Sequence, residues 1–241
     1  VYPHKNYKRC EEILEKAGNF RRKILVAESV YSMDGDLSDL PALIRLKEKY
    51  GCLLIVDDAH GTGVLGATGR GAGEGQGIGE KIDVLVATLS KALGCFGGFA
   101  AASDRMIQYL INCARPFLFS TALPPALCAA AFEAVSILEE DPSLHRRLWE
   151  NVGQMRQGLE SAGYLAGGSE SPIFPIILGE EGRTVALSEK LLREGYWVPA
   201  IRYPTVPKGK SRLRLTVSAA HRPEDLKRFL TVFGRLTKEP V

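Results

Sequence analysis

Two carboxylates and an imidazole, Asp57, Asp58 and His60 in VDDAHG, follow directly on the apolar run LLIV. If that run is a buried strand, its carboxyl end is where open α/β sheets build their ligand sites. Taken alone, Asp57 serves equally well as a turn cap and His60 as a satisfied surface histidine. A metal is a weak reading, because consecutive side chains leave a strand on opposite faces and rarely meet at one ion. A second apolar run, DVLVAT, leads into Thr88, Ser90 and Lys91, then into small residues with a Gly97-Gly98 pair. An ammonium at the end of such a strand is expected to be partly desolvated, which lowers its pKa toward the range where the amine is nucleophilic. For any single lysine a snorkelling surface position is the commoner case.

Between these two segments, Gly61, Gly63 and Gly66 in GTGVLG match the G-x-G-x-x-G pattern of a dinucleotide site. That reading needs a helix N-terminus immediately afterwards to receive the pyrophosphate. The residues that follow, ATGRGAGEGQGIG, are too rich in glycine for a helix, and no GK[ST] ending supports a phosphate loop. A mobile loop beside an active site is the expectation here. What carries the argument is the combination of the two strand ends. A lysine for a Schiff base, hydroxyls at Thr88 and Ser90 for a phosphate, and an acid for a ring nitrogen are the parts a pyridoxal-phosphate (PLP) site requires.

The elements that must position these groups read as an α/β chain. KILVAES, a helical pattern DLPALIRLKEKYG and CLLIVDD make a βαβ rhythm, with Asp39 or Ser38 as cap, Pro41 in the first turn and Gly51 at the end. The strands are apolar throughout, as strands buried on both faces of a mainly parallel sheet should be. DVLVAT, GFAAAS, a helix near 104 to 113, FLFST and an Ala-rich helix opening at Pro124 and Pro125 continue the theme. From about 141 the texture changes: a helix to about 162, FPIIL, a helix near 182 to 195, WVPAI, RLRLTVS and a last helix from Pro223. This pattern predicts a large domain over 1–140 and a smaller α+β domain over 141–241.

Composition narrows the class. A chain of 241 residues with 45% hydrophobic side chains can bury a full core. The 31 basic and 28 acidic residues are scattered, so no nucleic-acid or membrane footprint stands out. No apolar run approaches the length of a membrane span and the start VYPHKNYKRC is unlike a signal peptide, so a cytoplasmic protein is the default. The five cysteines show neither CxxC nor Cys/His ligand spacing, which argues against a disulfide framework and a zinc site.

ESVYSMDGDLSDLPAL, VDDAHGTGVLG, TLSKALGCFGG, FSTALPPA and AIRYPTVPKGKSRLRLTVSAAH, in this order, resemble the α-oxoamine synthase family of fold-type I PLP enzymes. The resemblance implies an aspartate-aminotransferase-like fold, PLP as cofactor, no metal and a homodimer. It implies that Lys91 carries the cofactor and then removes the α-proton, and that Asp57 pairs with the ring nitrogen. His60 and Ser32 would lie near the phenolic oxygen, and Thr88 would hold the phosphate, with Ser90 where many relatives have glycine. Thr121 would reach the phosphate of the neighbouring subunit's cofactor. Arg214 would clamp the substrate carboxylate, with Arg202 a second candidate and Glu28 an acid close to the site. The implied reaction is decarboxylative condensation of L-alanine with pimeloyl-CoA or a pimeloyl carrier protein, in biotin biosynthesis. Sibling enzymes that use glycine or serine with other acyl thioesters are the alternative, as is an inert fragment or partner subunit. Family members carry a further N-terminal portion, with strands, a glycine-rich phosphate turn and a ring-stacking histidine. Neither His4 nor His145 lies in the motif expected for that histidine, and a chain without the portion is expected to expose apolar sheet surface and to need a partner.

Overall fold

The first βαβ passage forms where the capping signals place it in the computed structural model, which describes residues 1–18, 20–164 and 169–238. β1 (Ile24–Glu28) and β2 (Leu53–Asp57) pair in parallel, with Ile24 beside Leu53 and Glu28 beside Asp57. α2 (Leu40–Tyr50), which follows α1 (Tyr7–Lys16), connects them. The Asp39 carboxylate accepts from the Ala42 amide at 2.9 Å, so of the two candidate caps Asp39 takes the role. Gly51 closes the helix at φ 61°, a left-handed conformation in which glycine avoids the Cβ penalty. Leu40, Leu43 and Ile44 of α2 are buried, as are Leu25, Ala27, Leu54 and Val56 of the two strands.

β3 (Val84–Thr88) adds in parallel to β2, and β4 (Gly98–Ala102) closes the order β1-β2-β3-β4 as an antiparallel edge. The sheet is thus mainly parallel, as expected. Burial on both faces is not observed. Ile24 and Val26 remain 57% and 59% exposed on the face that also carries Asp57, and nothing among the described residues covers them. The glycine-rich stretch also differs from an open loop. It folds through α3 (Ala72–Gly75) and a 3₁₀ turn over Gly79–Lys81, and Gly61, Gly63, Leu65, Gly69 and Gly71 are buried. After α4 (Asp104–Cys113), FLFST does not form a strand. Pro116 starts a short turn of helix, α5 (Arg115–Leu118), which leaves Phe117 and Phe119 exposed ahead of α6 (Pro125–Glu140).

These elements form one unit, Val1–Val30 with Leu37–Pro142, and the rest form a second, Tyr31–Asp36 with Ser143–Val241. In the second, β5 (Ile173–Gly179), β6 (Ala200–Ile201) and β7 (Ser211–Thr216) make an antiparallel sheet of order β5-β7-β6. α7 (Ser143–Ser161), α8 (Glu181–Arg193) and α9 (Pro223–Leu236) complete it around Phe174, Ile176, Leu191, Leu213 and Phe233, all fully buried. Only two residues of WVPAI are strand, since Pro199 has no N–H for the ladder. Segment 31–36 is tied to this sheet by a 2.7 Å hydrogen bond from the Ser171 hydroxyl to the Gly35 carbonyl. Gly35 sits at φ 70°, and a Cβ there would collide with the Ile173 carbonyl. No helix among the described residues is long and apolar enough to cross a membrane.

Candidate active site

In the first unit, register sets the geometry. Asp57 is the cross-strand partner of both Glu28 and Val86, so these three side chains share one face at the carboxyl ends of parallel strands. Thr88 follows two residues after Val86 and ends β3 on the same face. Asp57 is exposed, and its Oδ1 accepts from the Ala59 amide at 2.9 Å, an Asx-type turn. His60 is half-buried in that turn, which closes when the Gly61 and Thr62 amides donate to the Asp58 carbonyl at 3.0 and 2.9 Å.

Lys91 stands in a loop built by its neighbours. Thr88 Oγ1 accepts from the Ser90 amide at 3.2 Å, donates to the Gly97 carbonyl at 3.1 Å and lies 2.7 Å from Ser90 Oγ. Leu89 and Leu93 turn inward and pack with Ala131 of α6. With both leucines facing in, Lys91 faces out. It is exposed, and its ammonium makes no hydrogen bond or ion pair among the described residues. The Asp57 loop and the Lys91 loop touch. Gly63 adopts φ 79°, and a Cβ on it would lie 2.5 Å from the Ala92 Cβ. Asp57, His60, Thr88, Ser90 and Lys91 are thereby gathered at one end of β2 and β3. Thr121 is exposed in the same unit, between α5 and α6, and Glu28 is exposed at the end of β1.

The second unit brings together Ser32 and Arg214, whose Nε donates to the Ser32 carbonyl at 2.6 Å. Burial draws the Arg214 guanidinium down from its ordinary pKa, yet an arginine keeps its charge in proteins. Arg202 is exposed just after β6, with its carbonyl accepting from the Thr205 amide at 3.0 Å.

Two further residues, given no role by the sequence, each order the candidate residues of their own unit. Arg212 is 3% exposed, pairs with Asp34 at 2.6 Å and donates to the Met33 carbonyl at 3.0 Å, fixing the segment that carries Ser32. The alternation in RLRLT, which sets Arg212 and Arg214 on one face, is the signal for it. Asp58 is fully buried, and burial pushes its carboxyl above the ordinary aspartate value. Its Oδ2 accepts from Thr62 Oγ1 at 2.8 Å and its Oδ1 from the Ala72 amide at 3.2 Å.

The chain is similar to known proteins along nearly its whole length. The 8-amino-7-oxononanoate synthase of Thermoanaerobacter pseudethanolicus is 44% identical over 99% of this chain, which spans 61% of that protein. A solved serine palmitoyltransferase from S. paucimobilis with a bound PLP-myriocin aldimine superposes with a TM-score of 0.93 at 29% identity, over 98% of this chain and 60% of that one. The crystal structure of 8-amino-7-oxononanoate synthase from Francisella tularensis gives 0.83 at 26% identity, over 98% and 68%. The chain therefore spans about three fifths of such relatives, with the aspartate-aminotransferase-like α/β fold expected from its sequence. The model of the family described as aminotransferase class I and II matches residues 2–233, and the chain belongs to that family.

Proposed function

We propose that this chain supplies most of a PLP-dependent acyltransferase that condenses L-alanine with pimeloyl-CoA or a pimeloyl carrier protein, with loss of carbon dioxide, to give 8-amino-7-oxononanoate for biotin synthesis. The observation that carries the reading is the meeting of the Asp57 and Lys91 loops, sealed by Gly63 against Ala92. The donor set suits the cofactor: an amine with no other partner among the described residues, a carboxylate on the adjacent strand and two hydroxyls beside the amine. When bound, PLP supplies an electron sink for the charge left after an α-proton departs.

The rest is the work of this chain's own residues. Lys91 would hold the cofactor aldehyde through its amine and would serve as the base for the α-proton. Asp57 would hold a proton on the ring nitrogen through a charge-assisted hydrogen bond. His60 and Ser32 are the candidates to hold the phenolic oxygen, Thr88 would hold the phosphate, and Thr121 would hold the phosphate in the other subunit of a homodimer. Arg214 receives the substrate carboxylate in a two-pronged bond that lysine cannot copy, and Arg202 is the second candidate for it. In this reading residues 1–140 are part of the cofactor-binding large domain, 141–241 are the small domain, and the enzyme works in the cytoplasm.

The test is release of CoA from pimeloyl-CoA in the presence of PLP and an amino acid. L-Alanine should support turnover at least about tenfold faster than glycine or serine, a discrimination of roughly 1.4 kcal/mol in barrier. Equal or faster turnover with glycine or serine assigns the chain to a sibling activity.

A further inference from the structure

Asp58 stands beside the proposed machinery and takes no part in it, yet it is 0% exposed among glycines. Its backbone amide donates to the Val86 carbonyl of β3 at 2.7 Å, so it is fixed to the sheet. Its backbone carbonyl closes the turn that carries His60 through the Gly61 and Thr62 amides. Its carboxylate then grips the chain on both sides of the glycine-rich segment, at Thr62 Oγ1 and at the Ala72 amide. The segment wraps the carboxylate so closely that a Cβ on Gly61 or on Gly71 would collide with its oxygens, and Gly71 holds φ 97°. A buried carboxylate is costly unless it is hydrogen-bonded, and here the bonds it makes set the path of the loop.

We propose that Asp58 is a positioning residue for His60: its carboxylate clasps residues 62 and 72, and the clasp fixes the turn from which the imidazole projects. The consequence for catalysis rests on the role given to His60 above, whereas the clasp itself does not.

The chain holds four histidines, His4, His60, His145 and His221, which serve as separate reporters in an NMR titration of the full chain without added cofactor. Asp58→Ala leaves the Thr62 hydroxyl and the Ala72 amide without acceptors, and Thr62→Val removes one of the two bonds at constant shape. Both should move the His60 resonances and leave those of His145 and His221 in place, with amide exchange at Ala72 faster by about tenfold in Asp58→Ala. Asp58→Asn should restore the wild-type signals, because its carbonyl can accept from Ala72 while its amide donates to the rotatable Thr62 hydroxyl. If Asp58→Ala fails to fold, Thr62→Val and Asp58→Asn still decide. An unmoved His60 in Thr62→Val, or an Asp58→Asn that displaces His60 as much as Thr62→Val does, overturns the clasp. Failure of Lys91 to take up PLP would remove the proposed function while leaving these readouts intact.

Discussion

Charge placement at single residues gives the sharpest consequences. Arg214 already spends one donor, its Nε, on the Ser32 carbonyl, which aims the remaining nitrogens of a planar fork. Arg214→Lys loses both the aim and the fork. The expected outcome is a rise in KM for the amino acid of about 10- to 100-fold, from roughly 1.5–3 kcal/mol per bond to a charged group, with a smaller change in kcat. Steady-state kinetics check this, and a KM within about twofold of wild type rejects the carboxylate role.

Asp58 sets a pH dependence of its own. Burial, aided by the neighbouring Asp57 charge, outweighs the interactions with Ser29, Thr62 and Ala72 that favour the charged form and leaves the folded carboxyl a weaker acid than in the unfolded chain. Folding therefore takes up a proton in the window between the ordinary aspartate value and the raised one, and stability falls as pH rises through that window. Asp58→Asn should remove this component of the slope when urea midpoints are compared across the window. An unchanged slope contradicts it. Lys91 and Asp57 stand out as candidates in the sequence because each follows an apolar run. Asp58 was visible as a type but not as a clasp, since the contacts that define it come from residues 62 and 72, which only folding brings back to it.

At the scale of elements, the Lys91 loop is held by two inward leucines and by a glycine that lets the neighbouring loop approach. Gly63→Ala adds a Cβ at φ 79°, 2.5 Å from the Ala92 Cβ. Strain at a left-handed position plus overpacking amounts to about 2–4 kcal/mol. The variant should lower the unfolding midpoint and weaken labelling of Lys91 together, whereas Gly153→Ala, on α7 with open space around its Cβ, should leave both within error. Matched losses in the two variants contradict a special role for the Gly63 contact. Strand and helix positions were legible wherever period and caps agreed, as in α2 between Asp39 and Gly51. FLFST and WVPAI mislead because their apolar residues suit a strand while a proline in each neighbourhood breaks the ladder. The glycine stretch folds mostly through turns, and its buried glycines surround the buried Asp58 carboxylate.

Over the whole molecule, the exposed sheet face and the helices after it stand out. Ile24, Val26, Leu53 and Val86 of the sheet and Phe117, Phe119 and Phe132 beyond it are all more than a third exposed. Apolar surface on this scale drives association. The chain alone should sediment as an oligomer and bind a hydrophobic dye, and a monodisperse monomer without dye binding contradicts that expectation. The all-apolar strands made it possible to foresee a sheet meant for burial on both sides. They could not say what lies on the second face, because strand patterning records a need for cover and not its source.

In the proposed function the Lys91 amine takes a PLP aldehyde. Incubation with PLP, borohydride reduction and peptide mass mapping probe that bond. A pyridoxyl group is expected on Lys91, absent in Lys91→Ala and weakened in Asp57→Ala. A pyridoxyl group spread over the surface lysines, with Lys91 unmodified, would contradict it.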